Sequence, residues 1–289
     1  MPDKTPTFSA QVKNLLRQSG LKARKSLGQH FLIDAAILNT IIEAAELSPK
    51  DTVIEVGPGL GILTSELARH GGNIIAVELD NRLASLLQRR LASLSNLRVI
   101  NADILKVKPS QLLGGKTNYK VVANLPYYIT SPILRYFVEA SPKPSLMVTM
   151  VQKEVGQAIV AGPGKMSLLA VSIQVYSRVR IIAPVPARSF YPQPKVDSVI
   201  LRFDMLPEPA VKVDDVNGFF DVVRSGFSAP RKQLHNSLAH GLSLKPAEVA
   251  QLLKKADIDT QRRAETLSLE EWANLYKVLV VFNRAIQDA

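Results

Sequence analysis

Four polar positions in the first half of the chain have the types and the spacing to act on one small ligand. Glu78 closes the apolar run Asn73-Ile-Ile-Ala-Val77 and stands 21 residues after Gly57. A carboxylate so placed can accept both hydroxyls of a ribose, a group that NAD and S-adenosylmethionine share. Asp103 follows the run Leu97–Ile100 and can accept an adenine amino proton, although an acid there also makes a good helix cap. Gly57-Pro-Gly59-Leu-Gly61 has G-x-G-x-G spacing rather than the G-x-G-x-x-G of dinucleotide sites, and it lacks the Lys-Ser/Thr of a phosphate loop. It suits close approach of a small ligand better than a pyrophosphate cradle. The fourth point is Asn124-Leu125-Pro126-Tyr127-Tyr128, where the run Val121-Val122-Ala123 stops at an amide, a proline and two aromatics. Proline cannot donate to a ladder, so strand pairing ends where the polar chemistry begins. Two tyrosines after a strand are more often rings folded back onto the core than a ligand platform. The other three points turn this stretch into the mouth of an active site.

These positions need strands to hold them. Thr52–Val56, Asn73–Val77, Leu97–Ile100 and Val121–Ala123 read as buried strands, with helices at Ile62–His70 and Arg82–Leu94 between them. Strand and helix in alternation predict a parallel sheet with crossover helices, whose ligands bind beyond the carboxyl ends of the strands. Upstream, Ile33–Leu47 has helical spacing with Asp34 near its start, and residues 1–24 form a basic arm with a weak helical repeat at Val12, Leu15 and Leu16. Downstream, Leu146–Val151, Val179–Ile182 and Ser198–Phe203 read as strands, Gln152–Val160 and Ser167–Tyr176 as helices, and Pro184–Pro194 as a loop. From about Asp214 the pattern is wholly helical, at Val216–Phe227, Arg231–His240, Pro246–Ala256 and Leu269–Ile286, with Trp272 in the core. Three parts follow: the arm 1–24, a sheet domain 25–207 and a small all-α domain 208–289.

Composition excludes several classes. The chain has 289 residues, 46% of them hydrophobic, so a large core is available. No cysteine is present and the four histidines lack ligand spacing, so disulfides and thiolate metal sites are excluded and no metal is expected. No apolar run reaches the ~18 residues of a bilayer span and no signal peptide is seen, which points to the cytoplasm. The net charge of +11 is uneven: residues 1–207 carry 25 Lys/Arg against 14 Asp/Glu, and residues 208–289 carry 11 against 11. A localised basic excess suits a polyanion, because each neutralised phosphate releases counterions.

Lys25-Ser-Leu-Gly-Gln-His-Phe-Leu32, Glu55-Val-Gly-Pro-Gly-Leu-Gly61, Asn124-Leu-Pro-Tyr127, Phe190-Tyr-Pro-Gln-Pro-Lys-Val-Asp-Ser198 and Arg231-Lys232 with Asn236 together resemble the ribosomal RNA adenine dimethyltransferase family. The resemblance runs from about residue 25 to the end. It implies an α/β fold, a class I methyltransferase Rossmann-like sheet that is mostly parallel with an antiparallel last strand, followed by the helical domain. It implies S-adenosylmethionine as cofactor, held by His30, Leu32, Gly57, Glu78, Asp103 and Asn124. Its reaction is N6,N6-dimethylation of two adjacent adenosines near the 3′ end of 16S ribosomal RNA, four methyl groups per RNA, in an immature small subunit, by a protein expected to be a monomer. RNA contacts are expected from Lys22, Arg24, Lys25, Arg231 and Lys232. Three positions depart from the family pattern: His30 and Tyr128 stand where many members have Asn, and Pro230 where an Arg usually precedes Arg231-Lys232.

The chemistry implied by the resemblance accounts for the motif. An adenine N6 lone pair is delocalised into its ring, so the site must accept hydrogen bonds from the amino group and favour a tetrahedral nitrogen. The Asn124 side-chain oxygen and the Leu125 carbonyl are acceptors, and Pro126 stiffens the turn that aims them. Tyr127 would stack on the base, with Phe190 as the second face of the clamp. The rival readings are the same chemistry on 23S ribosomal RNA, an assembly factor whose methylation is secondary, and, more distantly, an NAD-dependent oxidoreductase, which the glycine spacing disfavours.

Overall fold

The structure, a computed structural model, describes residues 7–21, 23–24 and 27–287, with side chains to residue 283; Lys22 and Lys25 lie outside the described residues. In chain order the elements are α1 (Phe8–Gln18), β1 (Phe31–Leu32), α2 (Ala35–Ala45), β2 (Thr52–Val56), α3 (Ile62–His70), β3 (Asn73–Glu78), α4 (Asn81–Arg90), β4 (Leu97–Asn101), α5 (Pro109–Leu113), β5 (Lys120–Asn124), α6 (Thr130–Val138), β6 (Leu146–Gln152), α7 (Lys153–Ile159), α8 (Leu168–Gln174), β7 (Ser177–Val185), β8 (Phe190–Tyr191), β9 (Ser198–Met205), α9 (Val216–Gly226), α10 (Leu234–Leu242), α11 (Pro246–Lys255) and α12 (Leu269–Gln287).

Seven strands form one sheet in the order β4-β3-β2-β5-β6-β9-β7. Strands β4, β3, β2, β5 and β6 pair in parallel, and β9 runs antiparallel to β6. The chain winds outward from β2 through β3 to β4 and then returns to β5 on the other flank of β2. The crevice of such a sheet lies at that reversal, beyond the carboxyl ends of β2 and β5. Gly57 and Asn124 stand at those two ends. The central strands β2, β5 and β6 are mostly apolar, as strands covered on both faces require: Val53, Ile54, Val121, Val122, Met147 and Val148 are fully buried.

The basic arm is a helix with a buried face. Thr7 caps α1 by accepting from Ala10 N–H, and Val12 and Leu16 pack with Phe31, Leu60 and Leu83. An isolated 11-residue helix is marginal in water, so this packing, worth about 1.5–3 kcal/mol for each large apolar side chain buried, holds it. Lys13 Nζ also lies 5.4 Å from the centroid of the Tyr191 ring. Two short helices, α5 and α6, stand where no element was expected.

The chain divides into two compact units, Met1–Gly156 with Arg178–Met205, and Gln157–Ser177 with Leu206–Ala289. The division is discontinuous in sequence: α8 groups with the C-terminal helices, where a single boundary after residue 207 was expected. In this second unit Trp272, Phe219, Leu234 and Leu253 are fully buried, and a Cβ on Gly226 would stand 2.3 Å from the Trp272 ring. Among the described residues no helix is long and apolar enough to cross a membrane.

Candidate active site

One cavity opens at the carboxyl ends of β2, β3 and β5. Its wall includes His30, Leu32, Gly57, Glu78, Asp103 and Asn124, together with Leu125, Pro126 and Tyr127. Gly57, Glu78, Asp103, Asn124 and Tyr127 come from the sheet's strand ends or the turns that leave them, while His30 and Leu32 come from the segment at β1, which pairs with β8 outside the seven-stranded sheet.

The glycine turn and Glu78 form a single unit. Gly57 N–H donates to the Val77 carbonyl at 2.9 Å, and Gly59 N–H donates to Glu78 Oε2 at 3.1 Å. Glu78 Oε1 accepts from Asp80 N–H at 2.8 Å. Burial raises the Glu78 carboxyl above the usual carboxylate range, and these two N–H groups offset part of that. The carboxylate is thus aimed before any ligand arrives, with acceptor capacity left for hydroxyls. Gly61 shows why the turn needs glycine: at φ +75°, a Cβ there would stand 2.4 Å from Leu87 Cδ2 and 2.7 Å from Arg90 Nη2, both on α4.

Asp103 does two things at once. Its Oδ1 caps the turn Ile104–Lys106 by accepting from Leu105 N–H at 3.1 Å, while the residue still lines the cavity. The expected alternatives of cap and ligand acceptor are both compatible with one carboxylate.

At the end of β5, Leu125 N–H donates to the Met150 carbonyl at 3.1 Å, which ties the motif to β6. The Pro126 carbonyl accepts from Ile129 N–H and from Thr130 Oγ1, closing the turn. Asn124 Nδ2 donates to the His30 carbonyl at 3.2 Å. That carbonyl can only accept, so the amide nitrogen must face it and Oδ1 is turned the other way. Tyr127 is fixed on two sides: its hydroxyl is 2.7 Å from Ser198 Oγ, and its ring stacks on His30 with centroids 5.6 Å apart. His30 is itself held by Nδ1–H donating to the Pro192 carbonyl at 2.7 Å. Burial pushes the Tyr127 phenol above its ordinary value, and the Ser198 bond offsets part of the shift.

Two expectations change. Phe190 is 2% exposed and absent from the cavity wall; its pairing with Leu32 in the β1–β8 ribbon turns it into the core beside Met150 and Ile200. So placed, it offers no second face for a clamp. Arg24 is half-exposed but engaged within the chain, with Nη1 3.5 Å from Asp80 Oδ2, while Arg82 Nη2 approaches the same oxygen at 3.1 Å. In the helical unit Arg231, Lys232 and Asn236 are exposed in and just after the turn between α9 and α10, and neither base forms an ion pair with the described residues. Arg262, by contrast, is paired with Glu271.

Glu55 is the residue to which the sequence reading assigned no role. It lies on β2 at the cavity wall, 1% exposed, and its Oε2 has no hydrogen-bond partner among the described residues. Burial pushes its carboxyl up to about 8; the nearby Thr64 hydroxyl offsets part of this and the Glu78 charge adds to it. An acid inside an otherwise apolar strand was the available signal. An orphaned carboxyl oxygen in the wall leaves a hydrogen-bonding position for a polar group of a ligand. Glu78 suits a ribose and Asp103 an adenine amino group, so the residues present fit the adenosine of S-adenosylmethionine.

Residues 20–280 match the family described as ribosomal RNA adenine dimethylase. The chain is 50% identical over 273 residues to the ribosomal RNA small subunit methyltransferase A of Dehalococcoides mccartyi, covering 94% of this chain and 93% of that one. It is 42% identical over 275 residues to the protein of that name from Moorella thermoacetica, covering 92% and 95%. Among solved structures it is similar to a dimethyladenosine transferase from Plasmodium falciparum, with a TM-score of 0.72 and 25% identity over 88% of this chain and 98% of that one. The 23S rRNA methyltransferase ErmE aligns with a TM-score of 0.68 and 29% identity, over 86% and 99%.

Proposed function

The chain belongs to the ribosomal RNA adenine dimethylase family and uses S-adenosylmethionine, and from that premise we propose that it places two methyl groups on N6 of each of two adjacent adenosines near the 3′ end of 16S ribosomal RNA. The substrate is an immature small subunit in the cytoplasm, and the protein works as a monomer. Identity supports the small-subunit target: the two relatives above that are named for it are 50% and 42% identical, against 29% for the 23S enzyme ErmE.

Bound S-adenosylmethionine supplies an electrophilic methyl group on a sulfonium. Glu78 holds the ribose hydroxyls, Asp103 accepts from the adenine amino group, and the Gly57 turn lets the backbone approach. His30 and Leu32 close the near side. For the target base, Asn124 Oδ1 and the Leu125 carbonyl accept the N6 hydrogens and so localise the nitrogen lone pair. Tyr127, braced by His30 and Ser198, is the stacking platform; a base splayed out of folded RNA loses its neighbours, and one aromatic face returns roughly 1–3 kcal/mol. Arg231 and Lys232, with Lys22 and Lys25, contact RNA phosphates.

The observation that carries this reading is the Asn124–His30 bond, which leaves one amide oxygen as an acceptor in the cavity that also holds Glu78 and Asp103. Titration of the protein with S-adenosylmethionine and with NAD tests it. Saturable binding of the first alone is expected, and binding of NAD alone would remove the methyl-transfer reading.

A further inference from the structure

Tyr128 is a further aromatic residue at the same cavity, and nothing in the reaction described above employs it. It is 51% exposed, lines the cavity, and has neither a hydrogen-bond partner nor a ring partner among the described residues. Tyr127, its neighbour, is fixed on both counts. The edge of the Tyr128 ring lies over the turn at Gly28, where φ is +58° and a Cβ would stand 3.4 Å from Tyr128 Cδ1. Burial raises the Tyr128 phenol above its ordinary value, and the charges of Asp103 and Glu78, which line the same cavity, add to the shift. The ring therefore sits at the loop before β1, in the wall of the cavity that also holds the two acids that suit an adenosine.

On the S-adenosylmethionine reading given above, we infer that Tyr128 is a cofactor-binding residue whose ring forms the outer wall against the adenosine end of the ligand. Apolar ring surface left in water at the cavity mouth is covered when a nucleoside enters, and that coverage favours binding. Asparagine, common at this position in the family, has no such surface. Tyr128 thus gives this chain a tighter hold on its cofactor than an asparagine would.

Calorimetric titration of the full chain with S-adenosylmethionine, S-adenosylhomocysteine and 5′-methylthioadenosine tests this without reference to turnover. Tyr128→Ala and Tyr128→Asn should weaken all three by a common factor of roughly five- to 150-fold, the range for losing one aromatic face on a base. Tyr128→Phe keeps the ring and should stay close to the unsubstituted chain, which also shows that the position tolerates change without unfolding. RNA affinity measured without cofactor should not move. Unchanged cofactor affinity in Tyr128→Ala overturns the inference, and a loss confined to RNA would assign the ring to the substrate. A loss with S-adenosylmethionine but not with 5′-methylthioadenosine would also overturn it, by moving the ring to the amino-acid end. If the unsubstituted chain binds none of the three, the cofactor reading itself fails.

Discussion

The side-chain amide of Asn124 is oriented by the main chain of His30, through a 3.2 Å hydrogen bond from Nδ2 to the carbonyl oxygen. Because the partner is backbone, the His30 side chain can vary without turning the amide. Asn124→Ala removes one preorganised acceptor and should raise the barrier to methyl transfer by roughly 2.7–4 kcal/mol. Single-turnover rates at saturating cofactor measure this. A rate near that of the unsubstituted chain would make Asn124 a structural residue.

Glu78→Ala should weaken S-adenosylmethionine binding by at least about tenfold, the loss of one hydrogen bond to a charged group at about 1.5–3 kcal/mol, while RNA affinity stays constant. It also leaves the Gly59 and Asp80 N–H groups without their acceptor, so the melting temperature should fall. Calorimetry showing undiminished cofactor affinity would move the ribose to another carboxylate.

Glu55 links stability to pH. Its carboxyl titrates at about 8 in the folded chain against 4.5 as the unperturbed value, so between these limits the folded state keeps a proton that the unfolded state has lost. The folded state binds more protons there, so stability is full below 4.5 and declines as pH rises toward 8. Glu55→Gln removes this dependence. The variant's melting temperature should gain on that of the unsubstituted chain from pH 5 upward. Parallel curves would show that Glu55 is ionised in the folded protein.

Much of this candidate site was legible because buried parallel strands are mostly apolar runs, and the polar residue that ends each one faces the crevice beyond the sheet. Thr52–Val56 and Ile62–His70 have the expected bounds, and Glu78, Asp103 and Asn124 stand at the strand ends where they were expected. What was not legible depends on tertiary contacts. Phe190 enters the core through a two-residue ribbon with β1, too short to leave a periodic signal. Helix α6 begins directly after the Asn124 motif and carries Pro132 in its first turn, where proline is tolerated but reads as a breaker. The Val12 and Leu16 repeat was visible in the arm, yet only the fold shows that Phe31 and Leu60 receive it. His30 stacked on Tyr127 joins residues 97 apart, which no local pattern reports.

Arg231→Ala with Lys232→Ala should weaken RNA binding and flatten the dependence of log K on log salt by about two phosphate contacts, each roughly 0.7–0.9 in slope. Both side chains are exposed, so folding and cofactor affinity should be unaffected. An unchanged slope on the small-subunit particle would mean that these bases are a solvated face and that Pro230 marks a loop without a role in RNA binding.

The most direct measurement is a methylation map. Small-subunit particles lacking the modification, incubated with the protein and S-adenosylmethionine, should gain N6,N6-dimethyladenosine at two adjacent positions near the 3′ end of 16S ribosomal RNA, while 23S ribosomal RNA in the same mixture gains none. Methyl groups on the 23S RNA, or tight particle binding with no transfer to any adenosine, would contradict the account.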